Sequence, residues 1–309
     1  MKILITGACG HIGSHFVENL YKIKKVKKTI LVDNLKSNRF NSLFNINHKN
    51  KVEFFLKDLN DPKSLNQFKN INIVFHLASM TNAAKSFGIE KEMHSNNLNC
   101  FNTVLKFCEK TGAKLVHLSS TSVYGKQTEL VDETCEKKYL KPQSPYAKIK
   151  ILEENSLKKI KKSIKYNTFR LGTIAGVSRG IKFHTAVNSF CLNAAIGEKI
   201  KVYKTALNQY RPYLSIQDVF KLFKFIIENN FFDNEIFNVV SNNFTVKQIL
   251  KKIKKYKKNI KITYVDSAIM NQLSYHVSKK KLSAKGLSLN SNLDRDIANT
   301  LKLFKNIKK

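Results

Sequence analysis

Tyr146 and Lys150 stand four residues apart in the run Ser144-Pro145-Tyr146-Ala147-Lys148-Ile149-Lys150. That spacing puts both side chains on one face of a helix. A tyrosine so placed can accept a proton if it is acidified. Free tyrosine titrates near ~10, so service near neutrality needs a depression of roughly three units, worth ~4 kcal/mol. An ammonium one turn away stabilises the phenolate and supplies part of that shift. Lys148 competes for the role but faces away. The motif alone is cheap in a lysine-rich chain. Two other runs give it meaning: Gly7-Ala8-Cys9-Gly10-His11-Ile12-Gly13, directly after apolar Ile3 to Ile5, and Ser119-Ser120-Thr121-Ser122-Val123-Tyr124-Gly125. In this order they describe a nicotinamide dinucleotide held over a proton-moving tyrosine.

The glycine run follows a strand and opens a helix. Gly7 allows the tight turn, Gly10 lets backbone approach a pyrophosphate, and Gly13 lets helix and strand pack closely. The helix N-terminus offers free N–H groups to the phosphates. Asp33 lies twenty residues past Gly13, at the end of the second strand. A carboxylate there accepts from ribose hydroxyls and repels a 2′-phosphate, favouring NAD over NADP, although Lys36 and Arg39 lie close by. Asp58 and Leu59, after the third strand, are candidates for the adenine end. Leu77, Ala78 and Ser79 close the fourth strand with side chains small enough for backbone to lie against a cofactor. His11, Ile12, Asn34 and Asn97 complete the expected cofactor set. His76 reads as a packed histidine.

These runs need a frame to bring them together. Strands are expected at 3–6, 29–33, 52–56, 73–77, 114–118 and 166–171, with helices at 11–23, 62–69, 93–110 and 144–161. This alternation predicts an α/β fold, a doubly wound parallel sheet of Rossmann type with sites beyond the strand C-termini. After residue 172 the rhythm loosens. Helices are expected at 183–197, 215–229, 245–256 and 293–305, and strands at 236–240 and 261–265. The reading is a dinucleotide-binding domain over 1–171 and a smaller mixed α/β substrate lobe over 172–309, with 206–240 returning to the first domain.

Composition narrows the class. With 309 residues, 42% of them hydrophobic, the chain can bury a core. No apolar run has the ~18 residues of a membrane span. No signal peptide is seen, so the cytoplasm is the expected compartment. The cysteines Cys9, Cys100, Cys108, Cys135 and Cys191 form no C-x-x-C pair, and the histidines have no metal-ligand spacing, so idle thiols and no metal are expected. The net charge of +33 rests on lysine, with arginine only at 39, 170, 179, 211 and 295. Dedicated nucleic-acid readers favour arginine. The lysines recur on helix faces and read as solvated surface.

The chain resembles the extended short-chain dehydrogenase/reductase family, in its branch of NAD-dependent sugar-nucleotide epimerases and dehydratases, of the UDP-glucose 4-epimerase type. GACGHIG resembles the family's G-x-x-G-x-x-G, VDNL its second-strand end, HLAS its H-L-A-A and SSTSVYG its S-S-x-x-V-Y-G. SPYAKIK resembles S-P-Y-x-x-S-K, and RPYLSIQD resembles R-D-Y-I-x-V-x-D. The resemblance implies NAD as cofactor and Ser120, Tyr146 and Lys150 as catalytic residues, with Lys150 also on the nicotinamide ribose. It implies a nucleotide-sugar substrate with Arg211 on its diphosphate and Thr121 in its pocket.

Departures from the family pattern narrow the chemistry. Dehydratases of this branch carry an Asp-Glu pair where this chain has Thr121-Ser122. Thr173 replaces an asparagine that often touches substrate phosphate. A second diphosphate arginine expected near 275–280 is missing, with His276 and Lys279 as weak stand-ins and Arg179 as a candidate. An epimerase acting at C4 is the simplest reading. A keto reductase or dehydrogenase of a nucleotide sugar, and a non-catalytic dinucleotide- or RNA-binding protein, are the alternatives. The family often pairs through helices corresponding to 93–110 and 144–161. A homodimer is therefore expected, with Cys100, Phe101, Val104 and Phe107 as an apolar stripe that core packing explains equally well.

Overall fold

The computed structural model describes residues 1–46, 51–82, 85–127, 130–266 and 274–307. The first lobe runs β1 (Lys2–Thr6), α1 (His11–Asn19), β2 (Lys28–Asp33), β3 (Val52–Leu56), β4 (Ile73–His76) and α2 (Glu90–Thr111). It continues through β5 (Lys114–Ser120), β6 (Leu130–Val131), α3 (Pro145–Lys159) and β7 (Tyr166–Leu171). Then come β8 (Thr173–Ala175), α4 (Ala186–Ala195), β9 (Lys199–Tyr203), β10 (Tyr210–Ser215), α5 (Ile216–Asn229) and β11 (Ile236–Val239). The chain closes with β12 (Asn242–Thr245), α6 (Val246–Tyr256), β13 (Lys261–Val265), β14 (His276–Val277), α7 (Lys280–Ala284) and α8 (Leu293–Lys302).

Seven strands form one sheet in the order β11-β7-β5-β4-β1-β2-β3, every pairing parallel. Parallel strands are covered on both faces, which explains their nearly unbroken apolar character. The two-residue period sends Ile3 and Ile5 toward a core with Phe16, Phe75, Phe223 and Ile226, beneath α1 and α5. Leu4 points to the other side, with Val74, Phe101, Val104 and Leu157 beneath α2 and α3. The strand order reverses between β1 and β4. Loops leaving their C-terminal ends diverge there, opening the crevice where ligands of such sheets bind.

The smaller lobe packs α4, α6 and α8 around Val187, Ile200, Ile249, Ile253 and Ile297. Its strands are short: β8, β10 and β12 form one sheet, β9 and β13 another. The segment expected to return to the first domain divides. Its start, β10, stays in the small sheet, whereas α5 packs on α1 and β11 extends the large sheet. Leu282, Leu287 and Leu289 also join the first lobe's core. On α6 the lysines Lys247, Lys251, Lys254 and Lys255 are exposed opposite buried Ile249 and Ile253, as a solvated face requires.

One sequence expectation is corrected. Pro62 to Lys69 forms a series of turns, not a helix. Eight residues nucleate a helix poorly, and the apolar ones, Leu65 and Phe68, are both buried in the sheet's core from those turns. Of the two readings of the stripe Cys100, Phe101, Val104 and Phe107, core packing is the one the structure shows, with all four buried in that same core.

Candidate active site

The glycine loop is built by close backbone approach. Gly7 adopts φ +66°, and its N–H donates to the Val32 carbonyl at 2.8 Å. A Cβ on Gly7 would meet the Ala78 amide nitrogen at 2.5 Å, and one on Gly13 would meet the Gly7 carbonyl oxygen at 2.5 Å. A Cβ on Gly10 would meet nothing nearer than the Gly7 oxygen at 3.2 Å. Thr6 Oγ1 ties this loop to the end of β4 by accepting from the Leu77 and Ala78 amides at 3.3 and 3.4 Å. Asp33 Oδ2 accepts from the Cys9 amide at 3.0 Å and Oδ1 from the Leu35 amide at 2.9 Å. Its carboxylate is thus set at the mouth of the loop, half-buried, with lone pairs left for hydroxyl donors. These residues fit a dinucleotide: a cradle that admits no Cβ at Gly7 and Gly13, a helix N-terminus, and a fixed carboxylate one strand away.

Other members of the expected cofactor set serve in less direct ways. Asp58 is paired with Lys36 at 2.8 Å and accepts from the Asn60 amide. Burial alone would raise its carboxyl, but Lys36 and Asn60 bring it down to about 2. Leu59 is buried. Asn34 Oδ1 accepts from the Lys36 amide, and Ser79 donates to the Met80 carbonyl. Asn97 grips the backbone of Met80 from both sides, at 2.8 and 3.0 Å, and so fixes the loop after β4. Ile12 packs against the core. His11 is buried, its Nε2 2.8 Å from the Gly176 carbonyl.

A contact the sequence did not reveal comes from the segment after β8. Gly180 lies on the glycine loop, where a Cβ would collide with the Cys9 and Gly10 carbonyls. The Gly180 amide donates to Ser14 Oγ at 2.9 Å, and Ser14 donates to Ser178 Oγ at 3.1 Å. Lys182 donates to Thr81 at 2.7 Å. Burial, then Arg39, lowers the Lys182 ammonium to about 8. Arg179 is held by Glu18 on α1 at 2.8 Å.

Three histidines on or beside this loop are held neutral. Burial, ahead of any neighbour, lowers His11 to about 3, His15 to about 4 and His76 to about 3. His76, packed as expected, bonds Thr6 through Nδ1 at 2.9 Å. An unfolded histidine titrates near ~6.5, so the unfolded chain binds more protons below that pH and stability falls as pH falls. The contribution is complete above about pH 6.5 and is lost toward pH 4 and 3. Urea midpoints at pH 7.5 and pH 5 are expected to show a clear loss at pH 5; equal midpoints would contradict neutral burial.

The serine–tyrosine–lysine set assembles where β5 meets α3. Ser144 caps α3 by accepting from the Ala147 amide at 3.2 Å, with Pro145 at the first helical position. This cap places Tyr146 in the first turn, half-buried, and Lys150 one turn on, buried. Lys150 Nζ lies 5.8 Å from the Tyr146 ring centroid. Burial pushes the Tyr146 phenol up, Lys150 pulls it down and Glu153 pushes it up again. Ser120 Oγ accepts from the Ser122 amide at 3.2 Å and hydroxyl at 2.9 Å. Thr121 is buried and donates to the Leu171 carbonyl. Lys148 faces solvent.

Below this set lies a polar layer unforeseen from the sequence. Glu154 takes Arg170 in a two-pronged pair, at 2.9 and 2.6 Å, and accepts from Ser119 at 2.7 Å. Of the residues expected to meet substrate, Thr173 opens β8 and Arg211 sits on β10. Among the described residues Arg211 Nε is buried without a partner, and its Nη2 donates to Gln209 Oε1 at 3.3 Å. A guanidinium with a buried, unspent donor and no carboxylate partner among the described residues is suited to an anion.

The family model of the NAD dependent epimerase/dehydratase family matches residues 3–239. The chain belongs to this family. It is therefore an NAD-dependent enzyme of the epimerase/dehydratase type. The ADP-L-glycero-D-manno-heptose-6-epimerase of Brachyspira hyodysenteriae is 28% identical over 278 residues, covering 85% of this chain and 83% of that one. The UDP-glucose 4-epimerase of Thermus thermophilus, solved with NAD, superposes with a TM-score of 0.83 at 24% identity, over 99% of both chains. A dTDP-glucose 4,6-dehydratase from Streptomyces venezuelae superposes at 0.89 with 19% identity, over 99% of this chain and 97% of that one. At these identities the two solved structures show the shared fold. No helix among the described residues is long and apolar enough to cross a membrane.

Proposed function

We propose that this chain epimerises a nucleotide sugar at C4 through a transient 4-keto sugar. The observation that carries the reading is the Tyr146–Lys150 pair beside Ser120, Thr121 and Ser122, a run without a carboxyl group. Such a site can take and return an alcohol proton. It holds no acid and base at the two positions where dehydratases of the branch use them to eliminate water.

When bound, NAD supplies the hydride acceptor and donor. The chain's own residues do the rest. Tyr146 takes the C4 hydroxyl proton and returns it after the keto sugar has turned. Lys150 stabilises the phenolate. Ser120 donates to the substrate oxygen and steadies the keto form. Arg211 holds the diphosphate while the sugar moves, and Thr121 and Thr173 line the approach. Arg211→Met is expected to weaken nucleotide-sugar binding by about tenfold or more, the cost of losing a charged hydrogen-bond donor, with NAD binding unchanged; calorimetry with a UDP-sugar checks it.

The test of the function is protein purified without added cofactor, then dosed with UDP-sugars. Retained NAD that converts reversibly to NADH on one sugar, without net consumption, supports the epimerase. Stoichiometric oxidation of added NADH with a keto sugar replaces it by a reductase. Co-purified nucleic acid with no cofactor replaces both by a binding protein. A homodimer belongs to the same proposal, through the outer faces of α2 and α3, where Leu152 is 42% exposed; light scattering tests it.

A further inference from the structure

Glu153 is a buried carboxylate that the Tyr146–Lys150 motif does not call for. It lies one turn past Lys150 on the inner face of α3, with its side chain 1% exposed. Its Oε2 accepts from Lys150 Nζ at 2.7 Å and from His117 Nε2 at 2.8 Å. His117, on β5, is also buried, and its Nδ1 lies 3.2 Å from Thr168 Oγ1 on β7. The Lys150 ammonium is therefore held between a phenol and a carboxylate, and the carboxylate is far nearer than the centroid of the phenol ring.

The other titratable groups facing this pair add little charge. His76 on β4 is held neutral by burial. Cys100 on α2 is a thiol that burial pushes up to about 12. Glu154 on α3 is matched by Arg170 of β7. The charges that Tyr146 senses from its own protein thus reduce to Lys150 and Glu153, a close pair of opposite sign. Coulomb's law makes such a pair a short dipole whose field fades quickly.

We propose that Glu153 is a positioning residue that anchors Lys150 and offsets most of its field at Tyr146, so that Tyr146 stays a phenol until a second positive charge arrives beside it. The inference rests on the reading of Tyr146 as the proton acceptor. The oxidised nicotinamide ring carries a charge of the required sign. His117, donating from Nε2, fixes the carboxylate's direction. Proton acceptance is in this way confined to protein loaded with oxidised cofactor.

The test is an ultraviolet titration of the phenolate band, taken as the difference between protein with Tyr146 and its Tyr146→Phe variant. It is run on cofactor-free protein and again with saturating NAD. Glu153→Gln is expected to move the Tyr146 midpoint toward acid by about one unit or more in cofactor-free protein, the usual effect of one unopposed neighbouring charge. An unmoved midpoint, even with a lowered melting temperature, overturns the proposal and leaves Glu153 a structural residue. Lys150→Met combined with Glu153→Gln removes both charges and strands neither, so it tests the idea even if the single variant does not fold. Its midpoint is expected near that of the unmodified chain. A rise of a unit or more shows Lys150 acting unopposed and overturns the proposal. The readout is independent of turnover, so it can fail while the epimerase stands, and the epimerase can fail while it holds.

Discussion

Tyr146→Phe is expected to lower turnover by about 100- to 10,000-fold, the range for loss of a positioned proton-transfer group. The substitution keeps the ring over which Lys150 sits and removes only the hydroxyl. The cap at Ser144 and the first turn of α3 are untouched. The glycine loop, Asp33 and Asn97 lie on other elements, so NAD is expected to stay bound with its affinity unchanged. Nucleotide-sugar affinity should also hold, because Arg211 lies on β10. The check is a turnover assay on the responsive UDP-sugar beside mass spectrometry for retained NAD. A Phe variant with full turnover would remove Tyr146 from the chemistry, and with it the C4 epimerase as argued here.

The second large effect is on stability. Glu154→Ala should cost about 3–5 kcal/mol, the usual price of leaving one partner of a buried ion pair alone. Glu154 and Arg170 are each 3% exposed. Arg170 Nη1 already has no partner, and without Glu154 its Nε and Nη2 would lose theirs as well. Tyr124, its ring 4.8 Å from the guanidinium carbon, would remain beside the cation. Ser119 would lose its acceptor too. Arg170→Met combined with Glu154→Leu is expected to recover most of the loss, since apolar replacement of both partners strands no charge. Urea denaturation of the three proteins decides it; a single variant as stable as the unmodified chain would mean that water reaches Arg170.

What could be read from the sequence follows physical range. The parallel strands announced themselves because burial on both faces demands long apolar β-branched runs. The glycine loop and α3 were legible because turn, cap and helix spacing are local constraints. The small lobe was legible as a lobe, but its strands β8, β10 and β12 were not, since they have only three to six residues and owe their pairing to distant partners. The same limit hid half the site. Nothing near Gly180 in the chain reports that Cys9 and Gly10 will lie against it. Glu153 and His117 are thirty-six residues apart, and only the packing of α3 on β5 makes them neighbours. The stripe from Cys100 to Phe107 shows the same limit, where helical spacing left core and dimer surface equally open and only the packing of α2 on the sheet decided for the core.

The contacts made by residues 176–182 reach α1 at His11 and Ser14 and the loop after β4 at Thr81, and the Asn41 side-chain amide donates to the Arg179 carbonyl. They form a stitched seam along one margin of the cleft, short and mostly buried. The other side is tied as well, where β14 pairs with β6 and Tyr275 and Val277 are buried with Val123 and Tyr124, so a wide opening of the cleft would have to break strand pairing or expose a buried cluster.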